Sequence, residues 1–143
     1  MPDHRNRGGN RHGYGGRRDR PRAELPQFHS QWITDGLTDE AIKFADKAGK
    51  VLKDEGLTTS QIRNVYGEMK RIQLKGFDEQ KTAFLLLRPK LAYAKARAKS
   101  SGMRLFEPIL QQAFSAVQTK AHYQNLMDFM EAILAYHKAH GGK

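Results

Sequence analysis

The chain contains no cysteine. This absence excludes a disulfide framework, a thiolate zinc site and a cysteine nucleophile. Long apolar runs are also missing, since the longest, Ala83–Leu87, has five residues, whereas a membrane-spanning helix needs about 20. The N-terminus lacks the apolar segment that is typical of a secretory signal. We therefore expect a soluble, intracellular protein with no membrane contact.

Hydrophobic residues make up only 38% of the 143 residues, so part of the chain is expected to lie outside a packed core. The net charge of +10 is unevenly distributed. Residues 59–104 carry eleven Lys and Arg against three acids, a net charge of +8, and residues 1–24 carry +4. A concentration of positive charge in one part of the chain favours a polyanionic partner.

Residues 1–26 are rich in arginine and glycine. With so few apolar side chains, they cannot bury enough surface to offset the entropy cost of ordering. We predict a disordered arm over residues 1–26 and a helical domain over residues 27–143. The arm could bind RNA phosphates and bases without sequence preference, or it could serve only as a solubilising tail with no fixed partner.

From about residue 38 onward, apolar residues recur at helical spacing and strand patterns are absent. Thr38 can cap a first helix, for which Gly56 is a natural stop. Thr58 and Gln61 form the T-x-x-Q pattern of a capping box at the start of a second helix. Gly76 is predicted to end that helix.

Two prolines and an aspartate mark the remaining helices. Asp78 is predicted to cap a third helix reaching Pro89, where the chain should kink or restart, because proline disrupts a helix interior. A further helix is predicted after Pro108, and a last one spans roughly Tyr123 to Ala139. The predicted fold class is therefore all-α, a small bundle of five to six helices.

No constellation of residues predicts catalysis. The adjacent acids lie at predicted helix ends, where capping explains them, and no phosphate-binding glycine loop is present. His137 and His140 are three residues apart on the last helix and could in principle share a metal, but a third ligand at suitable spacing is missing. We expect no enzyme activity, no metal and no cofactor.

The segment Arg88–Arg97 is the most informative basic stretch. On a helix, Lys90, Tyr93, Ala94 and Arg97 share one face, with the two cations about 10 Å apart along the axis. Such a face lets a phosphate backbone approach closely. Tyr93 could instead belong to the core or hydrogen-bond to ribose, and the charges could form an ordinary solvated surface.

Several blocks of sequence resemble the small subunit of type III-A (Csm-type) CRISPR effector complexes. The order and spacing of these blocks match those of the family over roughly residues 40–142. The blocks are Gln61–Tyr66, Leu86–Tyr93, Arg97, Phe129–Lys138 and Gly141-Gly142.

The resemblance implies a non-catalytic, all-helical subunit of an antiviral, RNA-guided complex in the prokaryotic cytoplasm. Several copies would line the channel that holds CRISPR RNA paired with target RNA. Each copy would also contact its neighbouring copies and the backbone and large subunits of the complex. In this family, RNA and DNA cleavage belong to those other subunits.

The resemblance also assigns RNA-backbone contacts by position. Such contacts read charge and shape, so sequence specificity is left to pairing between guide and target. The residues implied are Arg63, Lys70, Arg88, Lys90 and Arg97, joined by Lys95, Lys99 and Arg71.

An alternative is a free-standing basic nucleic-acid-binding protein, either a helix-turn-helix DNA binder or an RNA chaperone. The turn Gly56–Thr59, which leads into Gln61, Arg63 and Asn64, resembles a helix-turn-helix connection. In that case, polar side chains at the start of the second helix would read base edges.

Overall fold

The structure, a computed structural model, describes residues 23–143, so residues 1–22 of the predicted arm lie outside the described residues. Within residues 23–143 the chain forms six α-helices and no strand, which confirms the all-α prediction. The short first helix was not predicted. The helices are α1 (Gln31–Thr34), α2 (Asp39–Asp54), α3 (Thr59–Lys75), α4 (Lys81–Arg97), α5 (Gly102–Ser115) and α6 (Lys120–Ala139), and a 3-10 turn (Phe77–Glu79) joins α3 to α4.

Local capping signals set the start of α2 and both ends of α3. The Thr38 hydroxyl accepts a hydrogen bond of 3.2 Å from the Ala41 amide. At the start of α3, the Thr58 hydroxyl accepts from the Gln61 amide (3.1 Å), and the Gln61 side chain accepts from the Thr58 amide (2.9 Å). Gly76 ends α3 with a φ of 103°, a conformation that glycine adopts readily. The predicted boundaries are confirmed here.

The prediction that Asp78 caps the next helix is wrong. Asp78 lies in the 3-10 turn, and α4 begins after Gln80 with no side-chain cap. The helix then runs through Pro89 without restarting. Pro89 removes the helical partner of the Leu85 carbonyl. Because both residues are exposed, water can hydrate that carbonyl and reduce the cost.

Helix does follow Pro108, as predicted, but the predicted start is wrong, because α5 begins six residues earlier, at Gly102, and contains the proline. A tertiary contact holds this start in place, since the Gly102 amide donates a 2.9 Å hydrogen bond to the Glu55 carbonyl. A Cβ at Gly102 would lie 2.7 Å from the backbone nitrogen of Leu57. Only glycine permits this approach of α5 to the connection between α2 and α3.

Helix α6 is the centre of the bundle and packs against α1, α2 and α3, while α4 packs against α3 and α5. Aromatic rings of Phe28, Trp32, Phe44 and Phe129 fill one end of the core, with neighbouring centroids 5.3–6.3 Å apart. This arrangement leaves one side of α3 and most of the outer surface of α4 facing solvent.

Candidate nucleic-acid interface

Helices α3 and α4 carry almost all of the basic side chains predicted to contact RNA. Most of these side chains are solvent-exposed, as a backbone contact requires, whereas Arg88 is only partly exposed. Within α4, Lys90 and Arg97 lie on the side next to α3, whereas Lys95 lies on the side next to α5. The exposed residues are Arg63, Lys70, Arg71, Lys90, Lys95, Arg97 and Lys99.

A groove runs between α3 and α4. It consists of two adjoining cavities of about 340 and 220 Å³, which share Asn64, Val65 and Ala94 as lining residues. Lys90 lines the larger cavity and Arg97 the smaller one. The predicted common face of these two cations therefore corresponds to one side of a continuous groove.

Tyr93 lies on this exposed face of α4 and is not part of the core. Its side chain is 64% exposed, which excludes the core alternative left open by the sequence. The Arg97 guanidinium lies over the Tyr93 ring, 5.3 Å from its centroid. This cation–π contact orients both groups at the surface and leaves them accessible to a ligand.

Glu68 lies between two of the predicted cations. Its carboxylate is 3.3 Å from the Lys90 ammonium and 3.6 Å from the Arg71 guanidinium. Exposed ion pairs of this kind contribute only about 0–1 kcal/mol each. Both cations can therefore exchange Glu68 for a phosphate, but Glu68 lowers the positive potential of this part of the surface.

Lys95 and Arg88 face the other neighbour of α4, helix α5. The Lys95 ammonium is 3.5 Å from the carboxylate of Glu107, whose side chain is only 11% exposed. The Gln111 amide donates to this carboxylate (3.0 Å) and to the Arg88 carbonyl (3.1 Å). The Lys95 side chain and the backbone carbonyl of Arg88 thus link α4 to α5, and the RNA contacts of these two residues stay predictions.

The α3 wall of the groove was not identified from the sequence. Asn64 and Glu68 are four residues apart on α3, and both line the larger cavity with Val65. Four-residue spacing places Asn64 and Glu68 on one helical face, beside the apolar stripe of α3. That spacing is a signal that could have identified them, but only the packing of α4 against α3 shows that they face Lys90.

Tyr66 lies on the opposite side of α3, towards α6. Burial raises the pKa of Tyr66, and the carboxylates of Glu131 and Asp128 raise it further. An acidic surface next to Tyr66 disfavours phosphate. The side of α3 that faces α4 is therefore the better candidate for a nucleic-acid contact.

The histidines considered as a metal pair have separate partners. The Nε2 atom of His137 is 2.6 Å from the Leu57 carbonyl oxygen, in the core, and that of His140 is 2.6 Å from an Asp46 carboxylate oxygen. Within residues 23–143, no group of three or more His, Cys, Asp or Glu side chains is arranged to hold a metal ion. Nor does this part of the chain contain a helix long and apolar enough to cross a membrane.

Searches of curated proteins and of solved structures find no match to this chain. A family model described as Csm2 Type III-A matches residues 37–143, well over half of the chain. The matched segment contains the whole of α2 to α6 and all eight of the basic residues predicted to contact RNA. The chain therefore belongs to the Csm2 type III-A family, the small subunits of type III-A CRISPR effector complexes.

Proposed function

We propose that this small subunit binds the backbone of CRISPR RNA paired with target RNA through the exposed α4 face that borders the groove. The observation that carries the proposal is the alignment of Lys90 and Arg97, two exposed cations on one helix face. Neutralising phosphates releases condensed counterions, which gives affinity without sequence readout.

The other predicted cations are part of the same proposal. Arg63 and Lys70 are exposed on α3, and Lys99 is exposed just beyond the end of α4. None of these three side chains forms an ion pair with another residue in the range 23–143. We propose that all three contact phosphates, together with Arg71, and that Lys95 and Arg88 add charge from the α5 side.

Exposed apolar side chains support assembly with other subunits. Leu85 and Leu86 are exposed on α4, and Leu74 is exposed near the end of α3. Each of these large apolar side chains would lose exposed apolar surface if a partner covered it. We propose that they contact neighbouring copies or the backbone and large subunits, and that this subunit has a non-catalytic role in the prokaryotic cytoplasm.

The helix-turn-helix alternative places three polar side chains at the start of α3, and two of them, Arg63 and Asn64, are exposed. The third, Gln61, accepts a 2.9 Å hydrogen bond from the Thr58 amide. A side chain engaged in a capping box is not available to read a base edge.

The test compares the double variant Lys90→Gln/Arg97→Gln with a matched control, Lys43→Gln/Lys47→Gln, which removes two exposed charges from α2. RNA binding is measured by fluorescence anisotropy at several salt concentrations. We expect the first variant to bind about tenfold more weakly, with the slope of log K against log salt reduced by about 1 to 2.

The control should retain most of the wild-type affinity and salt dependence. Circular dichroism and thermal unfolding establish that both variants are folded. Equal losses in the two variants would show that RNA responds only to total charge, and the proposed interface would be wrong.

A further inference from the structure

The groove between α3 and α4 has features that a contact to the RNA backbone alone does not use. Its floor is apolar and is formed by Val65, Leu87, Leu91 and Ala94. The larger cavity, about 340 Å³, is within the range of clefts that bind small organic groups, about 300–1,000 Å³. A phosphate backbone would gain nothing from an apolar floor.

Planar and polar groups lie at the edges of this apolar floor. On the α4 side, Arg97 lines the smaller cavity, and its guanidinium lies over the exposed ring of Tyr93, which is next to the groove and lines neither cavity. Asn64 presents an exposed amide on the α3 side, and this amide takes part in none of the side-chain hydrogen bonds within residues 23–143. Aromatic rings and arginine planes are the groups on which unpaired bases stack.

The acidic residue of the groove, Glu68, lies at one end of the groove. Glu68 lines the larger cavity near Lys90, whereas Arg97 lines the smaller cavity, which contains no acid. Phosphate is therefore favoured at the Arg97 end. A carboxylate can accept a hydrogen bond from the amino group of a base, so the Glu68 end is compatible with a base edge.

From these features we propose that the α3–α4 groove binds unpaired RNA and holds one of its bases. That base occupies the apolar floor between Val65 and Ala94, and the base of the adjoining nucleotide stacks on Tyr93, beside the groove. Lys90 and Arg97 hold the flanking phosphates. This inference rests on the proposed function, because the same cations serve both, but it adds the base as a second recognised group.

A protein side chain is the competing occupant of the groove. An aliphatic side chain would fill the apolar floor but would give the Asn64 amide no hydrogen bond and the two cations no anionic ligand. An unpaired nucleotide satisfies the floor, the amide and the cations together, which is why we favour it.

The experiment uses the full chain and three labelled RNA probes at one salt concentration. The probes are a short single strand, the same strand in which abasic residues replace several bases, and the same strand paired with its complement. We expect the wild-type protein to bind the intact single strand about tenfold more tightly than the abasic strand, because base–aromatic stacking is lost.

Two variants address the groove itself. Ala94→Leu fills the floor without changing any charge, and Ala92→Leu makes the same change on the exposed side of α4 as a matched control. We expect Ala94→Leu to weaken binding of the intact single strand about tenfold and to leave binding of the abasic strand unchanged. Ala92→Leu should change neither affinity.

Tyr93→Leu provides a second test that does not depend on the tolerance of the groove to a larger side chain. Tyr93 is exposed, so this variant should fold, and we expect it to lose about five- to tenfold in affinity for the intact single strand.

The two proposals fail in different ways. If the base site is wrong, base removal, Ala94→Leu and Tyr93→Leu will all leave affinity unchanged, while Lys90→Gln/Arg97→Gln still weakens binding. If the proposed function is wrong, the Lys90→Gln/Arg97→Gln variant will bind every probe as its control does. If Ala94→Leu alters sedimentation of the protein but not RNA binding, the groove is a protein contact and the base site is overturned.

Discussion

The imidazole Nε2 of His137 lies 2.6 Å from the carbonyl oxygen of Leu57, a residue 80 positions earlier in the chain. Because a carbonyl only accepts, Nε2 is the protonated nitrogen. Both residues are buried, and Gly142 packs against the imidazole ring. The His137 side chain thus links the end of α6 to the connection between α2 and α3. The first turn of α5 contacts the same connection.

We expect His137→Ala to lower the free energy of unfolding by about 2–4 kcal/mol, because it leaves a cavity and a buried carbonyl without a donor. Urea unfolding followed by circular dichroism measures this loss. The control is His140→Ala, which removes a partly exposed contact with Asp46 and should cost at most about 1 kcal/mol. Similar losses in the two variants would contradict a specific contribution of the His137–Leu57 hydrogen bond to stability.

Two glycines in helices should respond to alanine in opposite directions. A Cβ at Gly49 in α2 would lie 2.7 Å from the backbone nitrogen of His137 in α6, whereas a Cβ at Gly67 in α3 would meet nothing within 4 Å. We expect Gly49→Ala to destabilise the protein by about 1–3 kcal/mol through overpacking. Gly67→Ala should stabilise it by about 0.5–1 kcal/mol, because alanine favours the helix.

Thermal unfolding of these two variants measures both effects. The same chemical change is made in each variant. The difference between the two changes in stability therefore reports the steric cost of a methyl group where α2 contacts α6. Stabilisation by Gly49→Ala would show that these helices are not in close contact.

Removing the carboxylate of Glu68 should strengthen RNA binding. Glu68→Gln releases Lys90 and Arg71 from their ion pairs of 3.3 and 3.6 Å and removes a negative charge beside the groove. We expect affinity to rise by about two- to fivefold at low salt and the gain to shrink at high salt, where charges are screened. Fluorescence anisotropy across a salt series measures the change.

The control for this prediction is Glu40→Gln, which removes an exposed acid from the first turn of α2. It makes the same change in net charge away from the groove. An equal gain from Glu40→Gln would mean that the position of Glu68 does not matter.

Burial raises the pKa of Tyr123, whose hydroxyl donates a 2.7 Å hydrogen bond to the Met69 carbonyl. In the unfolded chain a tyrosine loses its proton near pH 10. The contribution of Tyr123 is therefore fully present below about pH 10 and is lost as the pH rises, because the unfolded state then binds fewer protons than the folded state.

We expect Tyr123→Phe to reduce this alkaline loss of stability and to cost about 1 kcal/mol at neutral pH through the lost hydrogen bond. Urea midpoints measured between about pH 8 and about pH 11 test both effects. Tyr93→Phe, at an exposed position, is the control and should retain the wild-type pH dependence. The pKa of Tyr66 is also raised, so part of the alkaline loss of stability remains in both variants. An unchanged alkaline loss in Tyr123→Phe would contradict the prediction.

Features that depend on a few neighbouring residues could be predicted from the sequence. Two helix N-termini, at Thr38 and Thr58, and one C-terminus, at Gly76, follow from caps that are completed within one turn. The common face of Lys90 and Arg97 follows from helical periodicity. The family could be identified from its sequence blocks for the same reason, since order and spacing along the chain need no knowledge of the packing.

The sequence alone thus determined the all-helical class, the capped ends of α3, the basic face of α4 and the family. The tertiary structure decided that α5 begins at Gly102, where a hydrogen bond to the Glu55 carbonyl and contact with Leu57 hold its first turn. It also decided that Lys90 borders a groove, whereas Lys95 pairs with Glu107 of α5. Helical periodicity states which residues share a face, but which neighbour that face meets depends on contacts between residues far apart in the chain.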